Sequence, residues 1–387
     1  MKLILGFFCF IVLFIGNINS NVKAEISNNE TLKIGLIVPL SGQYEEIGKS
    51  VLNSLRIGLN RLKNKKIEIY PKDNKGNAEN TLTAAKELQS LGVSIIIGPI
   101  FYENLIYLEE IENLIFLSLT NKITNLPSNV ISVGINASSQ LSTIVSFLKQ
   151  ENLSKTIVLI PRSEHEEEIR NSLAKIKYKF FKIYSYDTDP GKLTKQIEQI
   201  TKYKQRKDDL NRRIKILESS DLIVHKQELK RLKKKDTFGG VNFDSVIIAD
   251  FDQNLMSVVT SFLYSDVSHA EIKFIALNQW FDETLFKENS TNYIYFPSIN
   301  NKNYNKFKET YFINFNTFPV EISVISYDIL GLIYHLFKKN NYEINRKQFL
   351  RKARFSGSLG IFEIEKNSIN YQLEIYQVFN GKFKKIN

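Results

Sequence analysis

The residues able to do chemistry are scattered in this chain, and the scatter narrows the choice. The four histidines, His165, His225, His269 and His335, stand far apart, and none belongs to a metal pair of the HExxH kind. No G-x-S-x-G elbow, Walker loop or dinucleotide glycine pattern occurs, so neither a serine nucleophile nor a phosphate-cradling loop is announced. The densest acidic cluster, Glu164-His165-Glu166-Glu167-Glu168, stands where a helix should begin, and carboxylates there favour the helix dipole. An acid/base role for it is the sharper alternative. No catalytic set, metal site or cofactor site is expected, and binding chemistry remains. Ser41-Gly42-Gln43-Tyr44 closes an apolar run of strand length, Ile34 to Leu40. It precedes Ile47, Val51, Leu52, Leu55, Ile57, Leu59 and Leu62 at helical spacing. Open α/β folds bind ligands in loops at the carboxyl ends of their strands, which makes this turn the first candidate site.

The elements that must position such loops follow in order. A strand buried on both faces, a Ser-Gly turn and a helix open a βαβ unit. The sequence then predicts strands at Lys66–Tyr70, Ser94–Ile97, Leu114–Leu119, Val130–Val133, Thr156–Ile160, Phe180–Tyr184, Ser245–Ala249 and Lys273–Leu277. Helices are expected over Ala78–Ser90, Phe101–Asn113, Ser138–Gln150 and Glu164–Ile176. This is a doubly wound α/β pattern that repeats past the size of one domain, and it predicts two similar lobes with a cleft between them. Residues 191–237 break the alternation. Gln196, Ile197, Ile200, Tyr203, Leu210, Ile214, Leu217, Leu222, Leu229 and Leu232 are sparse positions among dense charges, which suits one or two helices, or a hairpin broken near Ser219-Ser220-Asp221. Such a segment is either a solvated face or a docking surface for a partner or an anionic envelope polymer.

The start of the chain bears on compartment. Lys2, the uncharged stretch Leu3–Gly16 and the polar Asn17–Ser20 read as a signal peptide over residues 1–24, cleaved after Ala24 or alternatively Ser20; a retained membrane anchor is the other option. Cys9, the only cysteine, lies inside the apolar run with no small residues just before it, which argues against a lipoprotein anchor. A mature chain would then have no disulfide and no thiolate. Of 387 residues, 43% are hydrophobic, enough for two ordinary cores. The net charge of +11 is concentrated: Lys192–Asp236 holds fifteen Lys and Arg against seven Asp and Glu. A basic balance confined to one insertion does not describe a nucleic-acid-binding surface, and no nucleic-acid partner is expected.

The loops and their order carry a resemblance. The opening IGLIVPLSGQYEEIGKSVLNSLRIGLN is similar to that of the type I periplasmic binding proteins of the Leu/Ile/Val-binding class. IIIGPIFYENL, IFLSLTN, TIVLIPRSEHEEEIRNSL, ISYDILGLIYHL and the ending FSGSLGIFEIEKNSINYQLEIYQVFNGKF agree with it. The GPIF loop, the charged insertion ending KKKDTFGGVNFDSVIIAD, and FLYSDVSHAEIKFIALNQWFDE resemble more narrowly the penicillin-binding-protein activators of Gram-negative envelopes. The resemblance covers nearly all of residues 31–387.

It implies two Rossmann-like lobes joined by crossover strands, residues 31–136 with 279–350 in the first and 137–278 with 351–387 in the second. A cleft between them would be lined by Ser41, Gly42, Tyr44, Ile100, Phe101, Tyr102, Ser118, Thr120 and Asn121 from one side. His165, Glu166, Asp250, Asp252, Asn278 and Trp280 would face them. In such clefts turn N–H groups and hydroxyls hold a carboxylate, and an acid on the facing lobe holds an ammonium. Two departures stand out: Ile100-Phe101-Tyr102 replaces a small hydroxyl residue, and His165-Glu166 replaces a Tyr-Gly. The resemblance implies a periplasmic accessory factor that stimulates a peptidoglycan synthase. Alternatively it implies the receptor of an ABC permease for amino acids or similar small solutes held in the cleft. A hydrolase using the carboxylates near Asp250 and Glu166 is a third option.

Overall fold

The structure is a computed structural model that describes residues 31–63, 66–277, 280–287, 289–340 and 343–386. The expected signal peptide with its cleavage zone, and Asn278, lie outside the described residues. The strands are β1 (Leu32–Val38), β2 (Ile67–Asp73), β3 (Ile95–Ile97), β4 (Ile115–Ser118), β5 (Val130–Ser132), β6 (Thr156–Pro161), β7 (Lys182–Tyr186) and β8 (Ser245–Ile248). They continue with β9 (Lys273–Ala276), β10 (Tyr295–Ser298), β11 (Ala353–Ser356), β12 (Ile361–Glu365), β13 (Ser368–Gln372), β14 (Glu374–Phe379) and β15 (Lys382–Lys385). The helices are α1 (Glu45–Leu62), α2 (Ala78–Ser90), α3 (Ala137–Gln150), α4 (Glu166–Lys175), α5 (Pro190–Thr201) and α6 (Tyr203–Glu218). After them come α7 (Ile223–Leu232), α8 (Asp252–Tyr264), α9 (Asn301–Phe315), α10 (Ser323–Lys339) and α11 (Arg346–Leu350).

Two sheets result. The first has the order β11-β12-β13-β5-β4-β3-β1-β2 and the second β15-β14-β10-β9-β8-β6-β7. The inner strands β1 and β3–β5 of one sheet and β6, β8 and β9 of the other pair in parallel. They are almost wholly buried apolar runs, as strands covered by helices on both faces must be. Gly48, early in α1, marks how closely that helix approaches the end of β1: a Cβ there would lie 1.8 Å from the Pro39 carbonyl oxygen.

The crossovers fall elsewhere than expected. β10, within the segment 279–350 assigned to the first lobe, pairs with β9 and β14 in the second sheet. β11 to β13, within the segment 351–387 assigned to the second lobe, form the edge of the first sheet, β13 lying against β5. The physical reason is local bonding across the sheet edge. Asn136 Nδ2 donates to the Ile369 carbonyl at 2.9 Å and the Tyr371 hydroxyl to the Val133 carbonyl at 2.8 Å. Only β14 and β15 after them join the second sheet. The helix expected over Phe101–Asn113 is instead two short 3-10 turns, Tyr102–Leu105 and Leu108–Glu110, broken at Ile106-Tyr107. Its apolar spacing is still used, since Leu105, Leu108 and Ile111 all pack under α2 with Leu88 and Ala84.

In the charged insertion α6 and α7 form a hairpin with its own small core of Leu210, Leu217 and Leu232, flanked by Ile214 and Leu229. Its base is held by Arg206, a residue only 6% exposed. Nε donates to the Gly239 carbonyl at 3.0 Å, Nη1 to that of Ser265 at 3.1 Å and Nη2 to that of Asp266 at 3.0 Å.

Candidate functional site

The turn after β1 is spent on its own architecture. The Ser41 hydroxyl donates to Asp73 Oδ2 at 2.6 Å, and the N–H groups of Leu40 and Lys75 donate to Oδ1 at 2.8 and 2.9 Å. Partial burial pushes the Asp73 carboxyl up, but these donors more than offset it and hold it below the ordinary carboxylate range. Gly42 adopts the left-handed φ of +81° that the turn requires. Tyr44 leans on Phe101 with ring centroids 4.6 Å apart, so the first turn meets the cleft through an aromatic contact.

Phe101 opens onto a cavity of about 360 Å³. Ile100, Phe101, Tyr102, Thr120 and Asn121 line it from the first sheet's loops, and His165 and Trp280 from the other side. Leu119, Ile135, Pro297, Ile322 and Ile325 add apolar walls; Gln140 and Ser298 add polar ones. Ser298 is 2% exposed and its hydroxyl has no hydrogen-bond partner among the described residues. A second hollow of about 380 Å³ shares Asn121, His165 and Trp280 and is acidic, with Asp252, Asp282 and Glu321. Burial, then the neighbouring Asp282 and Asp250, pushes the Asp252 carboxyl up. Asp252 also holds a left-handed φ of +50° at the start of α8. Burial, then the carboxylates of Glu168, Glu103 and Glu167, raises the Tyr102 phenol, whose ring carries the Lys122 ammonium 4.5 Å from its centroid.

The remaining expected residues are elsewhere or already engaged. Ser118 is fully buried and donates to the Pro99 carbonyl at 2.8 Å. Glu166 accepts from Arg170 Nε at 2.9 Å and from the Ser185 hydroxyl at 2.6 Å, and these bonds hold its carboxyl below the ordinary range. Asp250, 4% exposed, accepts from the Tyr186 hydroxyl at 2.5 Å and the Phe251 N–H at 2.9 Å. Of the carboxylates expected to face the cleft, Asp252 alone lines it among the described residues. Among the described residues no group of three or more His, Asp or Glu is placed to hold a metal ion.

Sequence reasoning missed Gln140, Ser298, Ile322 and Ile325. Ser298 was within reach, because Ile294-Tyr295-Phe296-Pro297-Ser298 is another apolar run ending in a hydroxyl residue before a helix. It missed the clasp across the cleft too. Glu168, on α4 beside the second sheet, accepts from the Thr124 hydroxyl at 2.6 Å and the Ile123 N–H at 3.3 Å, both in the loop between β4 and β5 of the first.

This architecture has counterparts among known proteins. Residues 31–176 match the family model described as periplasmic binding protein. No curated protein sequence matches the chain. Full-length LpoA from Haemophilus influenzae superposes with a TM-score of 0.62 at 14% identity; 92% of this chain is covered, but only 59% of LpoA, so the chain spans about three-fifths of that protein. The LpoA C-domain from the same organism, described as a regulator of PBP1A, is covered completely, with a TM-score of 0.59 at 13% identity and 92% of this chain. A putative branched-chain amino acid ABC transporter protein from Rhodospirillum rubrum gives a TM-score of 0.67 at 13% identity, with 92% of this chain and 100% of that one covered. The chain thus has the two-lobed fold of the type I periplasmic binding proteins, and its first 146 described and intervening positions, residues 31–176, match that family's model.

Proposed function

We propose that the protein is a non-enzymatic, periplasmic accessory factor, exported by its first 24 residues, that stimulates a peptidoglycan synthase. The observation that supports this over solute capture is the state of the polar groups. Ser41, Ser118, Glu166 and Asp250, the side chains a zwitterion would need, are each bonded within the protein. A free amino acid entering the cleft would lose hydration without gaining these four partners, which costs binding free energy. The test is glycan polymerisation and crosslinking by the cell's own bifunctional synthase with and without the protein. Stimulation at stoichiometric amounts supports the reading; an unchanged rate with demonstrated absence of binding refutes it.

A second reading, the receptor of an ABC permease, is favoured by one feature: an aromatic and aliphatic cavity beside Asp252, Asp282 and Glu321. That pairing suits a small ligand with an apolar body and an ammonium group. Thermal unfolding against a panel of amino acids, peptides and muropeptides separates the two. Saturation at a hundredfold excess over Kd adds about 2.7 kcal/mol and raises Tm by several degrees.

A further inference from the structure

We propose that the tip of the α6–α7 hairpin docks onto an anionic phospholipid surface. Ile216, Leu222, Ile223 and Val224 are 61, 61, 76 and 71% exposed; Ile216 lies in the last turn of α6, Leu222 in the connection and Ile223 and Val224 in the first turn of α7. The hairpin does not need them for its own cohesion, since Leu210, Leu217 and Leu232 already fill its core. Arg206 pins the opposite end, about 15 Å away along α6 at 1.5 Å per residue, so the four apolar side chains occupy the free end of a rigid arm.

Charge selects the occupant. The hairpin's acids are largely neutralised from within: Asp209 by Arg212, Glu218 by Lys233, Glu228 by Arg213 and Asp236 by Lys207. Lys215 and Lys226 flank the apolar tip and have no ion-pair partner among the described residues, against a single unpaired carboxylate in the turn, Asp221. A convex apolar knob with a cationic collar offers little to a flat protein face. It suits a bilayer, where apolar side chains enter the acyl boundary and the lysines meet anionic headgroups. This inference is independent of what the cleft holds.

The test uses the chain from Glu25 onward, which retains every described residue, in sedimentation with vesicles of phosphatidylglycerol and phosphatidylethanolamine and, separately, of phosphatidylcholine alone. Binding should favour the anionic vesicles and weaken in high salt. It should fall on the order of tenfold both in the Ile216→Ser, Leu222→Ser, Ile223→Ser, Val224→Ser variant and in the Lys215→Glu, Lys226→Glu variant. Unchanged thermal unfolding shows that both variants fold. Several results overturn the proposal: no vesicle binding, equal binding to neutral vesicles, or equal binding by either variant. So does a tip that instead mediates self-association, or one whose serine variant loses only synthase stimulation, which would make the occupant a protein.

Discussion

Replacing Arg206 by Met should detach the base of the hairpin at a cost that can be worked from its bonds. Three guanidinium N–H groups satisfy three carbonyls, two of which, Ser265 and Asp266, follow directly on the C-terminus of α8. The buried Ser265 carbonyl left without a donor costs about 1–2 kcal/mol, the Gly239 and Asp266 carbonyls about 0.5 kcal/mol each because water can replace the donor there, and losing a cation at a helix C-terminus adds about 0.5 kcal/mol. Relief of the guanidinium's own desolvation offsets part of this, which leaves about 1–2 kcal/mol. For a lobe of ordinary domain size that is a fall in Tm on the order of 5 °C. Arg206→Lys keeps the charge but loses the fork and should fall between. The assay is thermal unfolding by circular dichroism, with hydrogen exchange over α6 and α7 to localise the loss. If Arg206→Met melts within about 1 °C of the wild type, the claim that this arginine anchors the hairpin is wrong.

Other perturbations test the cleft and the turns around it. Ser298→Ala removes a buried hydroxyl without a partner and should stabilise the unliganded protein by about 1 kcal/mol; a measured loss would show that the hydroxyl is bonded after all. Gly48→Ala places a Cβ on the Pro39 carbonyl and should cost about 3 kcal/mol or more in denaturant unfolding. The Asp73 carboxyl has a folded-state pKa below its unfolded one, so its contribution is present above about pH 4 and disappears as pH falls through the folded value. The stability gap between wild type and Asp73→Asn should therefore narrow on acidification, and a gap that widens contradicts the bonding described. Glu168→Ala cuts the clasp between the lobes and should raise amide exchange in residues 122–124 before it alters that of the sheets.

Parallel strands explain why so much of the fold could be seen in advance. Ile95-Ile96-Ile97 and Ile157 to Ile160 are buried on both faces, so they stand out as unbroken apolar runs. β11 and β15 are antiparallel edge strands with charged residues such as Arg354, Lys382 and Lys384, β14 pairs antiparallel with β15 and β10, and nothing in their composition says which sheet they complete. Register and sheet membership were decided by distant partners such as Asn136 and Tyr371. Among the site residues, only the resemblance points to Phe101 and Trp280, because an aromatic group after a strand end packs into a core as readily as it lines a cleft. Whether Ser118 or Asp250 points to a ligand or to a carbonyl depends on a side-chain torsion set by tertiary neighbours. Arg206 illustrates the same limit, since among fifteen basic residues nothing in the local sequence marks the buried one.

The clasp and the occupied polar groups bear on the same question, which is whether this cleft signals by closing. Opening the lobes requires breaking the Thr124 and Ile123 bonds to Glu168, worth about 1.5–3 kcal/mol net of hydration and offset in part by the Glu168 Oε1 atom, which is buried without a hydrogen-bond partner among the described residues. In a receptor the ligand supplies the bridge between lobes, and the empty state has little to hold it shut. Here part of the bridge belongs to the chain, so opening the lobes costs these bonds whether or not a ligand is present. A ligand with equal affinity for open and apposed lobes shifts nothing, and one that favours apposition has only a small open population left to recruit. A surface spanning both lobes that the chain itself helps to hold is the kind the proposed accessory role would use, whereas a transport receptor must distinguish loaded from empty.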